Sequence, residues 1–353
     1  MVKFSQVVNS SLEWTAAMLF RPFKLKKWLL LLFAAVISGS LAGGKANFNL
    51  PNIPDAGKDK ATSISQATQD KGGPAKDISI QEQLKKVKEP QVIAAILFIG
   101  GLILLLIILM GWLSSRFIFV FLEGVTKNDA SIKIPFKTNK GLGNSLFLFY
   151  LIFSITSLAL LGGIIISFFI SLVRLGVFDK GMTVGLKPLI LVATPHISLF
   201  LFLLFTAIII SLIVKDFVTI VMFKDKINFI KAWQKTIQIL NKGKKAFILY
   251  ILLLIGLGIA AGIISTFLYF AGIFGLLFPA GIIALVSYLI YLATPASLHV
   301  LYFIILFAIL IPLALVTFYF LMCVFLPFAV FFRTLSIKFF SQLDENYNLF
   351  KFS

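Results

Sequence analysis

Two stretches of the chain, Val92–Ser114 and Ala246–Phe270, are apolar on every side. A helix of a water-soluble domain keeps a polar face, and a half-exposed strand alternates polar with apolar residues, because one side must meet solvent. A segment of more than about twenty residues that does neither suits the hydrocarbon of a bilayer. With 59% hydrophobic and 13% charged residues, the chain also departs from soluble domains, in which about a quarter of residues are charged. At 353 residues it is too short to hide such segments in a protein interior. The fold class expected is therefore all-α: a polytopic transmembrane helical bundle.

Further apolar runs divide the chain. A basic amphipathic helix within residues 1–27 leads to a first, short span at Trp28–Leu41, and a second runs from Val92 to about Ser115, with Trp112 as an interface anchor. The third lies near Ser145–Val173, the fourth near His196–Val214, the fifth near Ala246–Phe270 and the last within His299–Phe332. Residues 271–298 are apolar but contain Gly272, Gly275, Pro279 and Gly281, and read as a re-entrant or interfacial hairpin; six spans result, or seven if Ile282–Leu292 crosses. A cleaved signal peptide is the rival reading of the amino-terminus, with Ser38–Ala42 as its small residues, but its leading region is unusually long, which favours an uncleaved anchor.

Four regions are expected: 1–43, helix and first span; 44–91, a hydrophilic extracytoplasmic segment; 92–333, the transmembrane domain; and 334–353, a cytoplasmic tail. The second holds eight lysines, six acids and few large apolar residues, so it is expected to stay largely disordered, with Ser79 and Glu82 forming a capping box near its end.

An offset of about one hundred residues brings several pairs into register: Ala193-Thr194-Pro195 with Ala293-Thr294-Pro295, Phe147 and Tyr150 with Phe247 and Tyr250, Gly162 with Gly262, and Phe117 with Phe217. An internal duplication accounts for so many matches in one register. The basic connections agree with six spans. Residues 123–144 hold four lysines and 224–245 hold seven, whereas 271–298 hold no charge; with the basic amino-terminus and Arg333 and Lys338, these fall on one side when the number of spans is even. That side should be the cytoplasm, as in a plasma or inner membrane protein with both termini inside. The discordant element is 174–187, with three basic residues on the outer face.

The net charge of +18 would suggest nucleic acid on a soluble domain; beside apolar spans it points to anionic lipid headgroups, and no nucleic-acid partner is expected. Lys226–Leu240 is the clearest amphipathic helix, with Lys231, Trp233 and Lys235 as contacts to headgroups or to a partner protein. Arg116 and Asp216 stand at equivalent places of the duplication, each before its matched Phe, and form a candidate intramembrane charge pair; the plainer reading has each at the interface. His196 and His299 follow the repeated triplets but lack a third ligand, and Gly258 with Gly262 is a helix-packing pair. The single Cys323 forms neither an internal disulfide nor a cysteine-based zinc site. No Gly-rich phosphate loop and no convergent catalytic grouping occurs, so neither a cofactor nor a metal is expected, and no enzyme activity.

The run Asp216-Phe217-Val218, then Met222, Ala232-Trp233 and Lys245-Ala246-Phe247-Ile248-Leu249-Tyr250, resembles a group of uncharacterised polytopic membrane proteins akin to the membrane domain attached to some glycerophosphoryl diester phosphodiesterases. The catalytic barrel of those enzymes is absent, so the resemblance implies an accessory membrane domain and carries over no catalytic residue. A scaffold or accessory protein organising lipid or partner proteins is the function expected, with a transporter or channel as the alternative.

Overall fold

The computed structural model describes residues 2–41, 90–178 and 185–352. Every regular element among them is helical. In chain order these are α1 (Phe4–Phe20), α2 (Leu25–Ile37), α3 (Pro90–Lys127), α4 (Lys133–Thr138), α5 (Lys140–Arg174) and α6 (Leu186–Ile213). A π-helical turn, Val214–Val218, joins α6 to α7 (Thr219–Asp225). Then come α8 (Phe229–Lys242), α9 (Lys244–Ala293), α10 (His299–Met322) and α11 (Leu326–Leu343), with short 3₁₀ turns between and after them. The expected hydrophilic segment 44–91, with its Ser79–Glu82 capping box, lies outside the described residues except for Pro90 and Gln91 at the start of α3.

Two compact units make up the chain: Asn47–Met110, described only as the amino-terminal half of α3, and the remainder. In the first, Leu97–Met110 is exposed all along its length. The second holds two apolar cores. Phe217, Met222, Tyr250, Phe339 and Phe340 centre one, to which α1, α5, α6, α8 and α11 contribute. The other seals α2 against the end of α3 and the start of α11, through Leu31, Leu32, Phe121, Val125, Leu326 and Val330.

Five helices are long and apolar enough to cross a membrane: Leu97–Lys127, Lys140–Arg174, Leu186–Asp225, Lys244–Ala293 and His299–Leu343. At most 11% of the most apolar part of any of them is buried in the chain. Aqueous solvent would make that exposure prohibitive; lipid accommodates it. The protein is thus an all-helical, membrane-embedded chain.

Two expectations change here. The expected hairpin at 271–298 is a continuous helix up to Ala293, because α9 runs through Gly272, Gly275, Pro279 and Gly281 without a break. Proline removes one hydrogen bond and glycine weakens a helix, but in lipid every freed backbone group raises the cost of unwinding, which favours continuity. The expected first span is shorter than drawn. Helix α2 has 13 residues, about 20 Å at 1.5 Å each, and stops where Gly39, at φ +64°, ends it in a left-handed turn. The triplets at 193–195 and 293–295 also differ in setting, the first lying inside α6 and the second running from the last residue of α9 into the turn before α10.

Candidate functional site

The densest grouping of polar side chains gathers around the π-helical turn. A π turn widens the helix, so its carbonyls are not all matched along the axis, and such turns recur at functional sites. Here the Lys215 carbonyl oxygen takes two side-chain donors: Thr219 Oγ1 at 2.7 Å and Arg333 Nη1 at 2.5 Å. Arg333 Nη2 donates in turn to Thr219 Oγ1 at 2.8 Å. One guanidinium from α11 thereby grips both the backbone and the hydroxyl of a turn more than a hundred residues away in sequence. Arg333 is 6% exposed and Thr219 is wholly buried.

Asp216 and Lys215 are half-buried on the same turn. Tyr250 Oη, from α9, donates to Asp216 Oδ2 over a long 3.4 Å, and Lys215 Nζ reaches the carbonyl of Gly39 at 2.7 Å, tying the turn to the end of α2. Arg333 and Lys215 supply the positive field around Asp216. Two polar atoms of the cluster, Arg333 Nε and Thr334 Oγ1, are buried without a hydrogen-bond partner. Each such atom is costly to keep, which marks the place as constrained by more than packing.

Arg116 lies elsewhere. Its guanidinium carbon sits 4.1 Å from the centroid of the Trp112 ring and 5.1 Å from that of Phe136. Its Nε and Nη2 donate to Asn144 Oδ1 at 3.3 and 3.0 Å, and the Trp112 indole donates to the same oxygen at 3.2 Å. The expected pairing of Arg116 with Asp216 is therefore not formed: each has its own partners, and among the described residues the ion pairs are Lys127–Glu123 and Lys235–Asp225. Equivalent sequence register set the two residues at similar points of their helices, but it carries no information about which way each faces.

The amphipathic helix expected at Lys226–Leu240 is α8, Phe229–Lys242, capped by Asn228 accepting from the Lys231 amide. Its apolar face does not lie free for headgroups. Phe229, Ala232, Thr236, Ile239 and Leu240 are buried, and the half-buried Trp233 ring stacks 6.1 Å from Phe229. Lys235 is held by the chain itself: its Nζ lies 2.6 Å from Asp225 Oδ2, to which Tyr347 Oη also donates at 2.9 Å. The Asp225 carboxylate, and then Tyr347, raise the Lys235 ammonium above its ordinary range, while burial, foremost, pushes the Tyr347 phenol up to about 12. Lys231 and Ile230 remain exposed.

A third polar knot closes the corner between α3 and α5. Asn139 Nδ2 donates to Glu123 Oε2 at 2.7 Å, Lys226 Nζ donates to Asn139 Oδ1 at 3.0 Å, and Lys127 reaches Glu123 Oε1 at 2.8 Å. Burial lowers the Lys226 ammonium, partly countered by Glu123. His196 and His299 serve local roles, the first beside Val192 O and Ser167 Oγ, the second on Thr294 O. No set of three metal-binding side chains occurs among the described residues.

Sequence reasoning counted Arg333 only as a charge for topology, and Tyr250 as a repeat match and part of the family-like run, not as a partner of Asp216. The signal that singles out Arg333 is its isolation: it is the first charge after Lys245, and the helix before it is apolar from Leu326 to Phe332. A lone cation so placed needs internal acceptors.

No curated protein and no solved structure matches the chain. A model of a family of unknown function (DUF7544) matches residues 5–350, which takes in α1, the π-helical cluster and α11 alike. The chain belongs to that family.

Proposed function

We propose that the protein is a non-enzymatic membrane scaffold that organises lipid or partner proteins around its long apolar helices. The observation that carries this reading is how little of those helices the chain covers with itself, at most 11% of the most apolar part of each. Faces left open in this way are available to acyl chains or to helices of another protein. The exposed lysines of the connections, Lys133, Lys137, Lys140 and Lys231, would meet anionic headgroups at the cytoplasmic surface.

The topology that accompanies this reading has six crossings. Helix α1 packs along α11, with Phe4 and Phe339 ring centroids 6.0 Å apart and Lys338 Nζ donating to Ser10 O at 2.7 Å, which supports a reading with both helices on one side and an even number of crossings between them. Five helices are long enough to cross, and α2 supplies the sixth, its short length compensated by protein packed along it. The internal duplication is retained as a proposal on the same footing: the residues after Arg116 and after Asp216, Phe117–Val120 and Phe217–Ile220, are all buried.

The second reading, a transporter or channel for a small solute or lipid, draws on the charged cluster at the π turn, since ionisable groups within apolar helices are commonly tied to transport. One experiment separates the two. The protein, extracted in native bilayer discs, is analysed for co-purifying lipids and proteins, and in parallel reconstituted into vesicles for ion and solute flux. The scaffold reading expects reproducible co-purification and flux equal to that of protein-free vesicles. Flux well above those vesicles, lost with Asp216→Asn, would establish the transporter reading instead.

A further inference from the structure

Several cations among the described residues are answered by a carboxylate or a backbone carbonyl of the chain: Lys235 by Asp225, Lys127 by Glu123, and the buried Arg333 by the π turn. Arg116 is different. Half-buried, it has no carboxylate within 4.0 Å among the described residues, and there its five N–H donors meet a single acceptor, the Asn144 side-chain oxygen, which engages Nε and Nη2. Its Nη1 donates to no group among the described residues.

That guanidinium is nonetheless held still. Trp112 stacks on it, Phe136 lies close by, and Asn144 fixes its Nε edge. Helix α5 comes close enough for this because residue 143 is glycine: a Cβ there would stand 2.5 Å from Arg116 Cγ and 3.0 Å from its Cα. An arginine immobilised through one edge and two ring faces, and left unsatisfied on the other edge, is preorganised for a planar two-oxygen anion.

Its position narrows the ligand. The apolar run Val92–Ser114 ends two residues before Arg116, so the guanidinium stands where the hydrocarbon gives way to headgroups. Lys137 and Lys140, exposed on the neighbouring α4 and α5, extend the positive field. Of the acids in the adjoining connection, Glu123 is already committed to Lys127 and Asn139.

We infer that Arg116, steadied by Trp112, Phe136 and Asn144, binds the phosphodiester of an acidic phospholipid at the membrane surface. The inference rests on the reading that this surface meets anionic headgroups, and it assigns that contact to a defined site. Arg116 supplies the fork and Trp112 packs against the glycerol region below it.

The test uses the whole protein in mixed micelles, with thermal unfolding followed as phosphatidylglycerol replaces phosphatidylcholine, and with inorganic phosphate in a separate arm. Wild type is expected to gain stability with phosphatidylglycerol. Arg116→Gln should raise the half-saturating mole fraction at least fivefold; Arg116→Lys, which keeps charge but loses the fork, should fall between; Gln234→Ala, at an exposed uncharged position of α8, should stay within twofold of wild type. The Lys variant also guards against a folding defect, since its unfolding without acidic lipid should match wild type. Equal lipid response in wild type and both Arg116 variants overturns the site while leaving the headgroup reading intact. No preference of wild type for phosphatidylglycerol overturns that reading itself. Saturation by inorganic phosphate, with no further gain from lipid, overturns the lipid assignment in favour of a free anion.

Discussion

Arg333 on α11 and Lys215 on the π-helical turn are joined by a 2.5 Å hydrogen bond from a guanidinium to a backbone carbonyl, in a region where Arg333 is 6% exposed. The bond explains how a widened turn persists between two α-helices: an unmatched carbonyl is satisfied from outside the helix, and Thr219 completes the arrangement. The side chain and the turn are therefore expected to stand or fall together.

Replacing Arg333 should expose that dependence. Arg333→Gln removes donors to both Lys215 O and Thr219 Oγ1, and a lost hydrogen bond involving a charged group is worth about 1.5–3 kcal/mol. Arg333→Lys should recover only part, because an ammonium cannot span two acceptors as a planar fork does. Thermal unfolding in detergent checks the order wild type, Lys, Gln; equal stability of the three would mean that the turn holds itself.

Arg116 and Asp216 should behave as strangers. Their partners, Asn144 and Trp112 for one and Tyr250 for the other, do not overlap. Independent sites add within about 0.3–0.5 kcal/mol, so the double change Arg116→Ala with Asp216→Ala should lose the sum of the single losses. The charge swap, Arg116→Asp with Asp216→Arg, should rescue nothing. Rescue by the swap would show a coupling that the separate partners do not provide.

Alkaline pH should loosen the carboxy-terminal turn from α8. Lys235 is raised by Asp225 and Tyr347 is raised to about 12, so in the folded state both keep protons that the unfolded chain loses near pH 10. Stability from the pair is thus fully present below about pH 10 and falls as pH rises towards and beyond 12. Tyrosine absorbance during a pH titration, compared with Tyr347→Phe, would show one late-ionising phenol disappear. Asp225→Asn should move the decline to lower pH.

Single cysteines on a Cys323→Ala background report the crossings. Thr138, Gln238, Ser297 and Asn346 are all exposed in the protein. An impermeant thiol reagent applied to intact cells should label position 297 alone. Labelling of 346 together with 297 would break the even count of crossings.

Much of this was legible in the amino-acid order and some was not. The apolar helices declared themselves because lipid demands unbroken apolar surface, a property of each segment alone. The amphipathic character of α8 was equally plain, yet its apolar face covers Ile220, Met222 and their neighbours rather than headgroups, since periodicity states that a face is buried and never against what. Pairing Arg116 with Asp216 failed for a related reason, as the π turn rotates every residue after Val214 relative to an unbroken helix. Pro279 looked like a breaker and was not one, because helix-breaking penalties measured against water compare poorly with the cost of bare backbone in lipid.

Between Lys245 and Arg333 the chain carries no charged residue, and the fold uses that stretch as the paired arms α9 and α10. During synthesis the orienting cue for α9 is already complete when Lys244 and Lys245 emerge, whereas α10 brings none of its own until α11 appears. On the six-crossing topology proposed above, an α9 of 50 residues, about 75 Å long, would enter the insertion machinery before its returning partner has any signal to follow. On that same proposed topology, the two arms would be committed as a pair, late and together, with Arg333 as the residue whose arrival closes the hairpin on the side where it began.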